Sequence, residues 1–446
     1  MTTQHFLNRS YGFHSNNVIK RATASRLVYA LQPTSVTLSQ NPALLDPQNE
    51  RPPAHISGVN ALTIERFEGR YLLSGGVDSS IAIWDLESPT SFYNGVPSYR
   101  PLSLAMKTSD EHKLGITQLC FYPFDSLAFL TSSYDCTVKV YNSETLAPFA
   151  SFHLDSVVYN IALSPIASHL LVACATQHPA VRLVDLRSGA STHSLVGHSG
   201  AILSTAWSPT REHIFASGST DGTVRFWDIR RSVGELGHLD YEDTIGITQR
   251  ASTPFNQNVS QGKAHRGAVN GILWTADGHH IITCGHDEHI RVWDTNTRAN
   301  TLANFGPMVK NSNLAATIPV LAPDLNKDVM FYPNQHEILA FELFEGKLIR
   351  RLRRSEKFVS LNGGGQGERN AKGRITALAW RAHDVELYSA HADGSITAWK
   401  PKTEEDAESD EDEQAEKERG GGSGKRKRSV LEDIYQGLTK KPMTFS

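Results

Sequence analysis

The stretch FASGSTDGTVRFWDIR, residues 215–230, decides how the chain is read. Ser217 stands four residues before Asp221, Asp221 stands six before Trp227, and His198 lies 19 before Ser217. The same residue types return at the same offsets as His55, Ser74, Asp78 and Trp84. They return again as His265, Thr283, Asp287 and Trp293, with a first step of 18. Beside them the chain alternates, as in Val224 and Phe226 or Ile290 and Val292, which is the period of a half-buried strand. A turn carries each Asp between two such strands, and the second strand carries the Trp. Polar residues at fixed offsets along alternating strands, copied several times, indicate a repeat architecture.

The constellation resembles WD40 repeats over roughly residues 55–400. In that family the His, Ser/Thr, Asp and Trp form a buried relay in which each polar group has a partner, so burial is tolerated. Weaker copies follow the same ruler. His112, Thr131, Asp135 and Tyr141 keep offsets of 19, 4 and 6, and Ser389, Asp393 and Trp399 keep 4 and 6 with Gly373-Arg374 in place of Gly-His. Residues 159–189 end in Val184-Asp185 without the relay, and a stretch from about 315 to 352 carries Phe341-Glu342 at the marker position. Markers at 84, 141, 184, 227, 293, 341 and 399 predict an all-β, seven-bladed WD40 β-propeller over residues 51–402. Trp207, Trp274 and Trp380 fall in the first strands of their blades.

Composition narrows the function. Hydrophobic residues are 39% and charged residues 20% of the 446, as in a soluble globular protein. Lys plus Arg number 44 and Asp plus Glu 47, a net charge of −3, which excludes a wholly basic nucleic-acid coat and a wholly acidic chain. No apolar run approaches the ~20 residues of a membrane span, and the N-terminus lacks a secretory apolar region, so an intracellular chain is expected. The four cysteines, Cys120, Cys136, Cys174 and Cys284, have neither zinc-site nor disulfide-framework spacing, which fits a reducing compartment. Residues 88–110 and 232–262 read as polar loops and 353–373 as a flexible connector. Residues 403–446 read as a disordered tail: residues 404–418 hold ten acidic residues, and Lys425, Arg426, Lys427 and Arg428 form a candidate nuclear localisation signal. Within it, Ser429 and Glu432 make a capping box at the start of a short helix over 429–438. Ser409, between Glu408 and Asp410, is a candidate phosphosite.

No catalytic constellation emerges. Gly363-Gly364-Gly365-Gln366-Gly367 lacks the following Lys-Ser/Thr of a phosphate-binding loop. His279, His280, Cys284, His286 and His289 lie along a strand and a turn, where alternation sends them to opposite sides, so no metal site is expected. The relay residues recur in several blades, as no hydrolytic triad would. The expected chain is therefore a binding protein with no cofactor and no catalysis.

Three features carry a finer resemblance. Trp227-Asp228-Ile229-Arg230 and Asp185-Leu186-Arg187 are similar to the Asp-x-Arg signature of substrate receptors for cullin-4 ubiquitin ligases; a solvated Arg paired with its own Asp is the plainer reading. The N-terminal HFLNRSYGFHSNNVIKRATASRLVYALQ (5–32) is basic, with a near-helical apolar stripe. A mitochondrial transit peptide is its competing reading. Third, the phrases EGRYLLSGGVDSSIAIWDLE, LVGHSGAILSTAWSP and HHIITCGHDEHIRVWDTN resemble the Cockayne syndrome group A family, from the FLNRS segment to about residue 400. That resemblance implies a helix-loop-helix in residues 1–50 that enters the cleft of the adaptor, DNA-damage-binding protein 1, through Phe6, Leu7, Leu27 and Leu31. It implies that Arg230, Arg187 and Asp228 meet the adaptor at the blade edge. It further implies cullin-4 and its RING subunit, a Cockayne syndrome B-type ATPase and stalled RNA polymerase II as partners in transcription-coupled nucleotide excision repair, in the nucleus. Two other readings stay open: a scaffold in chromatin or RNA processing without ligase attachment, and a damaged-DNA binder using the basic strand KLIRRLRRSEK (347–357).

Overall fold

The computed structural model describes residues 10–12, 26–40, 53–93, 96–106, 110–189, 191–231, 234–242, 262–322, 328–354 and 373–402. Its contacts define two compact units, Met1–Lys400 and Pro401–Ser446, and of the second only residues 401–402 are described.

The repeats fold as antiparallel sheets. Two short strands come first, β1 (Leu31–Pro33) and β2 (Thr37–Leu38). The first repeat supplies β3 (Val59–Ile64), β4 (Tyr71–Gly76) and β5 (Ile81–Asp85), followed by β6 (Ser91–Tyr93), β7 (Val96–Tyr99) and β8 (Pro101–Ala105). Next come β9 (Ile116–Phe121), β10 (Ala128–Ser133), β11 (Thr137–Asn142) and β12 (Pro148–His153). The third set is β13 (Val158–Leu163), β14 (Leu171–Thr176), β15 (Ala180–Asp185) and β16 (Ser191–Val196). The fourth is β17 (Ile202–Trp207), β18 (Ile214–Ser219), β19 (Val224–Asp228) and β20 (Glu235–His238). A three-stranded set follows, β21 (Val269–Trp274), β22 (His280–Gly285) and β23 (Ile290–Asp294). The chain ends with β24 (Val320–Ala322), β25 (Val329–Asn334), β26 (Glu337–Glu342) and β27 (Leu348–Arg353), then β28 (Ile375–Arg381), β29 (Glu386–His391) and β30 (Ile396–Pro401).

The architecture is an all-β WD40 propeller, but the described residues form eight sheets rather than the seven predicted. The additional sheet, ordered β2-β7-β6, arises where the sequence predicted a polar loop over 88–110. Its β2 lies parallel to β7, with Thr37 opposite Ser98 and Leu38 opposite Tyr99. Leu38 and Tyr99 are buried in the cluster that joins the first repeat to the last, so apolar contact fixes two-residue pairing that propensity alone would not.

In the N-terminal segment, helix among the described residues is confined to residue 10 and residues 26–29, and most of the expected helix-loop-helix lies outside the described residues. Leu31 belongs to β1, which lies beside β30 as the outer strand of the last sheet. The side chain of Leu31 is fully buried with Phe331, Leu387 and Trp399. Strand pairing with β30 and that burial override the helical spacing of Leu27 and Leu31.

The cores lie between adjacent sheets. Ala216, Val224 and Phe226 of one repeat pack on Val269, Ile272, Trp274 and Trp293 of the next. Leu62, Leu72 and Trp84 pack on Ala379, Tyr388, Ala390 and Ala398, which joins the two ends of the chain. The innermost strands are also clasped by side chains. Thr376 donates to the Val59 carbonyl, Asn60 to that of Ile116 (2.9 Å) and Thr117 to that of Val158 (2.8 Å). The indoles of Trp207 and Trp274 donate to Ala162 and Ala206 of the preceding sheet, at 3.0 and 3.1 Å.

At β21 the clasp is different. No fourth strand is described beside β23, which makes only an isolated bridge, Trp293 to Asn300. The following chain runs into the central channel. The fully buried Asn270 points its amide nitrogen at Asn311 Oδ1 (3.0 Å), the carbonyls of Asn313 (2.8 Å) and Ala315 (2.9 Å), and Thr317 Oγ1 (3.1 Å). Gly271 completes the approach, since a Cβ there would overlap the Thr317 carbonyl oxygen. Replacing Asn270 with Ala removes all four bonds and leaves the buried Asn311 without its partner, and is expected to cost about 1–3 kcal/mol. Urea unfolding should show the lower midpoint, and limited proteolysis should show new cleavage within residues 310–318. Gly271→Ala should reproduce both effects; wild-type behaviour of the two variants would refute the assignment.

Candidate functional site

Two kinds of position stand out: the repeated relay, and the edge of the propeller reached after each Trp-Asp marker. In the fourth set, His198 Nε2 lies 2.7 Å from Ser217 Oγ, which accepts the Trp227 indole N–H at 2.7 Å. His198 Nδ1 lies 2.8 Å from Thr223 Oγ1, and that hydroxyl donates to Asp221 at 2.6 Å. His55, Ser74 and Trp84 repeat the geometry at 2.7 and 2.8 Å, with Ser80 linking His55 to Asp78. His265 lies 2.7 Å from Thr283 and 2.8 Å from Asp287, and Trp293 donates to Thr283 at 2.9 Å. His112, Thr131 and Asp135 form the same links, while Tyr141 in the Trp position stacks on Phe129 with ring centroids 5.3 Å apart. Trp84, Trp227 and Trp293 are essentially inaccessible to water. Glycine beside the turn is required too: a Cβ on Gly76 would overlap Asp78 Oδ1 and His55 Nδ1.

Burial raises the relay carboxyls, but hydrogen bonds from His55 and Ser80 to Asp78, and from His198 and Thr223 to Asp221, outweigh it and leave both well below the carboxylate range. Asp135 and Asp287 are lowered in the same way against burial, by His112 and Thr137 and by His265 and Arg291. Burial lowers His265 itself, against the pull of Asp287.

The last sheet builds its relay from residues the sequence reading did not select. Trp399 donates to Ser389 at 2.9 Å, but the imidazole on Ser389 is His391, from the same strand, at 3.0 Å. Asp393 is held by Arg354 Nη2 at 3.0 Å, and Arg354 Nη1 donates to Ser395 at 2.7 Å. Arg374, expected at the Gly-His position, stands directly before β28, whereas the relay histidines stand further upstream of their first strands, and it lies outside the relay. The guanidinium that meets Asp393 is that of Arg354. Its position within the basic run 347–357 concealed this role.

The marker edge has its own chemistry. Asp228 is buried and accepts the backbone N–H of Arg230 at 3.0 Å and its Nε and Nη2 at 3.0 and 2.9 Å. The Arg230 side chain is 62% exposed, so the buried carboxylate aims a forked cation outward. The Arg230 hydrogen bonds hold the Asp228 carboxyl below its usual range. Arg187 is exposed and donates its backbone N–H to Asp185 at 3.0 Å. Turns between first and second strands emerge on this same edge, because strands alternate in direction. Phe67, Phe124, Leu127 and Ile166 occupy such turns in three successive repeats, and all are among the exposed large hydrophobics. Sequence reading found the arginines; it missed the apolar turns, which carry no motif.

Other predicted residues are placed as follows. Leu31 is a core side chain, and Leu27 is partly buried against the same cluster. Phe6, Leu7, Ser409, Lys425, Arg426, Lys427 and Arg428 lie outside the described residues, as do the helix predicted over 429–438 and Lys357. Of the histidine-rich stretch, Cys284 is buried, His286 Nε2 lies 2.7 Å from the Asn313 carbonyl, and the His280 ring meets Phe344. On the edge strand β27, Arg350 donates to the Tyr29 carbonyl, Arg353 pairs with Glu337 at 2.7 Å, and Arg354 pairs with Asp393. Those arginines are committed within the fold.

The chain carries WD40 repeats: a family model described as WD domain, G-beta repeat matches residues 49–85, 105–142, 189–228 and 256–294. The model describes a repeat module and names no catalytic activity. Over 408 residues, 78% of this chain and 86% of the relative, the chain is 28% identical to "WD repeat-containing protein ATCSA-1" of Arabidopsis thaliana. It is 27% identical over 198 residues to "Radiation-sensitive protein 28" of Saccharomyces cerevisiae, covering 41% of this chain and 38% of that protein. It is 26% identical over 267 residues to "Ribosome biogenesis protein ytm1" of Neurospora crassa, covering 53% and 54%.

Ser217→Ala leaves the Trp227 N–H and His198 without their shared partner and should cost about 1–3 kcal/mol in urea unfolding monitored by tryptophan fluorescence; an unchanged midpoint would contradict the relay. Acid should act the same way. The folded state holds Asp78, Asp135, Asp221 and Asp287 ionised and His265 neutral more readily than the unfolded chain does. It therefore binds fewer protons, and stability should rise with pH through both ranges. Calorimetry from pH 7 downward should show Tm falling below about pH 6.5 as unfolded His265 protonates, then more steeply below about pH 4 as the carboxylates do.

Proposed function

We propose that the chain is the substrate receptor of a cullin-4 RING ubiquitin ligase, attached through DNA-damage-binding protein 1 and acting in the nucleus in transcription-coupled nucleotide excision repair. The observation that carries this reading is the similarity to WD repeat-containing protein ATCSA-1 over 78% of this chain and 86% of that one. The marker edge supports it. Exposed Phe67, Phe124 and Ile166 offer apolar area, and Arg230, braced by Asp228, offers a fork for a carboxylate or carbonyl. Arg187 adds a second cation one repeat earlier. Such a protein does no bond chemistry; it holds a target near the ubiquitin-charged enzyme and raises its effective concentration. Stalled RNA polymerase II and a Cockayne syndrome B-type ATPase are the partners this reading names.

A second reading, a scaffold in chromatin or RNA processing without ligase attachment, is favoured by the similarity to ytm1 over 53% of this chain. Direct damaged-DNA binding has less support, since Arg350, Arg353 and Arg354 already have partners in the fold.

Affinity purification from nuclei separates the first two. The wild-type chain should recover cullin-4 and its adaptor. A variant lacking residues 1–25 and carrying Arg187→Ala and Arg230→Ala should lose them at least about tenfold, as expected when interface anchors are removed. That deletion spares β1, and circular dichroism should show that the variant keeps the wild-type strand content. Undiminished recovery would overturn the attachment surface, and recovery of pre-ribosomal particles without cullin-4 would favour the scaffold.

A further inference from the structure

The edge opposite Arg230 carries a feature that ligase attachment does not use. There the central channel opens in a cavity of about 150 Å³. One wall is the channel-filling segment around Asn311 and Asn313; the rest includes Asn60, Gln118, Tyr134, Tyr159, Lys310 and Arg374. No aspartate or glutamate is among the described residues that line it. Among the described residues, two cations and several amides and hydroxyls thus surround the space, with no carboxylate in its lining.

Arg374 is the informative member. It stands immediately before β28 and outside the relay, which His391 and Arg354 build for this sheet. Arg374 is left half-buried at the mouth, close enough to Tyr134 to affect its hydroxyl electrostatically. Tyr134 meets Tyr159 edge-on, with centroids 6.5 Å apart. Lys310 is shared with Glu288 at 2.9 Å, so it contributes less. The amide wall is fixed in advance: Asn311 donates to Asn270 (2.8 Å) and to the Gly285 carbonyl (3.0 Å), and Gln335 donates to Ser312 (3.1 Å). Preorganised donors lose little entropy on binding.

We propose that this mouth is a recognition pocket for an acidic side chain, Asp or Glu, of a linear peptide. Arg374 receives the carboxylate, the remaining N–H groups of the Asn60 and Gln335 amides supply further donors, and the tyrosine pair flanks the peptide backbone. The volume decides the class of ligand. A cavity of about 150 Å³ holds a group the size of benzene, whereas sites for larger small molecules run from about 300 Å³. One side chain fits. A polynucleotide would need a row of cations for successive phosphates, and the described lining residues include two. The pocket is independent of the adaptor surface, so its failure leaves the ligase reading standing, and the reverse.

The full-length chain, immobilised, is probed with positional-scanning hexapeptide libraries in which one position is fixed as Glu, Asp, Gln, Asn or Lys. Fixed Glu or Asp should bind more tightly than Gln or Asn, and the preference should weaken with salt. Arg374→Gln should abolish it, by at least about tenfold, as when one member of a desolvated charge pair is removed. Arg374→Lys should restore part of it. Both variants should keep the wild-type Tm, since Arg374 lies outside the relay. Absence of acidic preference, or a preference that survives Arg374→Gln, would overturn the proposal. So would Arg374-dependent binding of an oligo(dT) probe stronger than that of any acidic peptide.

Discussion

Everything in this molecule depends on keeping a tryptophan indole, an imidazole and a carboxylate dry at once. Each would be costly to bury alone. Linked through Ser74, Ser217 or Thr283, each finds its partner, and the Trp can then fill the space between neighbouring sheets. The same links fix the turn that carries Asp78, Asp221 or Asp287 to the His before it. In the sheets that carry the relay, the edge with the Asp turn is thereby held rigid.

The fold uses several solutions to one packing problem. Tyr141 replaces Trp by stacking on Phe129. Arg354 and His391 together replace one imidazole. Where the described residues supply no fourth strand beside β23, the chain enters the channel and Asn270 secures it. Each substitution has a consequence elsewhere. The channel segment walls the mouth, and Arg374, which lies outside the relay, lines it. Two faces with different chemistry result: one apolar with braced arginines, one polar and lined by cations.

How much of this was legible follows from what repeats. His, Ser/Thr, Asp and Trp at constant offsets announce both the strands and their turn, because the relay forbids other spacings. Arg230 was legible because it follows the marker. Arg354 was not, because its partner Asp393 is 39 residues away and its neighbours look like a solvated basic strand. The eighth sheet was hidden for a similar reason: β2 is two residues long, and only its burial against Tyr99 explains it. Leu27 and Leu31 sit at helical spacing, yet pairing with β30 draws Leu31 into a strand, and no local pattern reports a partner more than 360 residues distant. The apolar turns at Phe67, Phe124 and Ile166 belong to different repeats and meet only in space.

The central claim is that the two edges have separate tasks, one holding the ligase adaptor and one left open. Amide hydrogen exchange of the full chain, alone and with purified DNA-damage-binding protein 1, tests it most directly. Protection confined to the turns near Phe67, Phe124, Ile166 and Arg230, with residues 134–136 and 373–376 unchanged, is the predicted result. Protection at Tyr134 and Arg374 instead, or none at the marker edge, would contradict it.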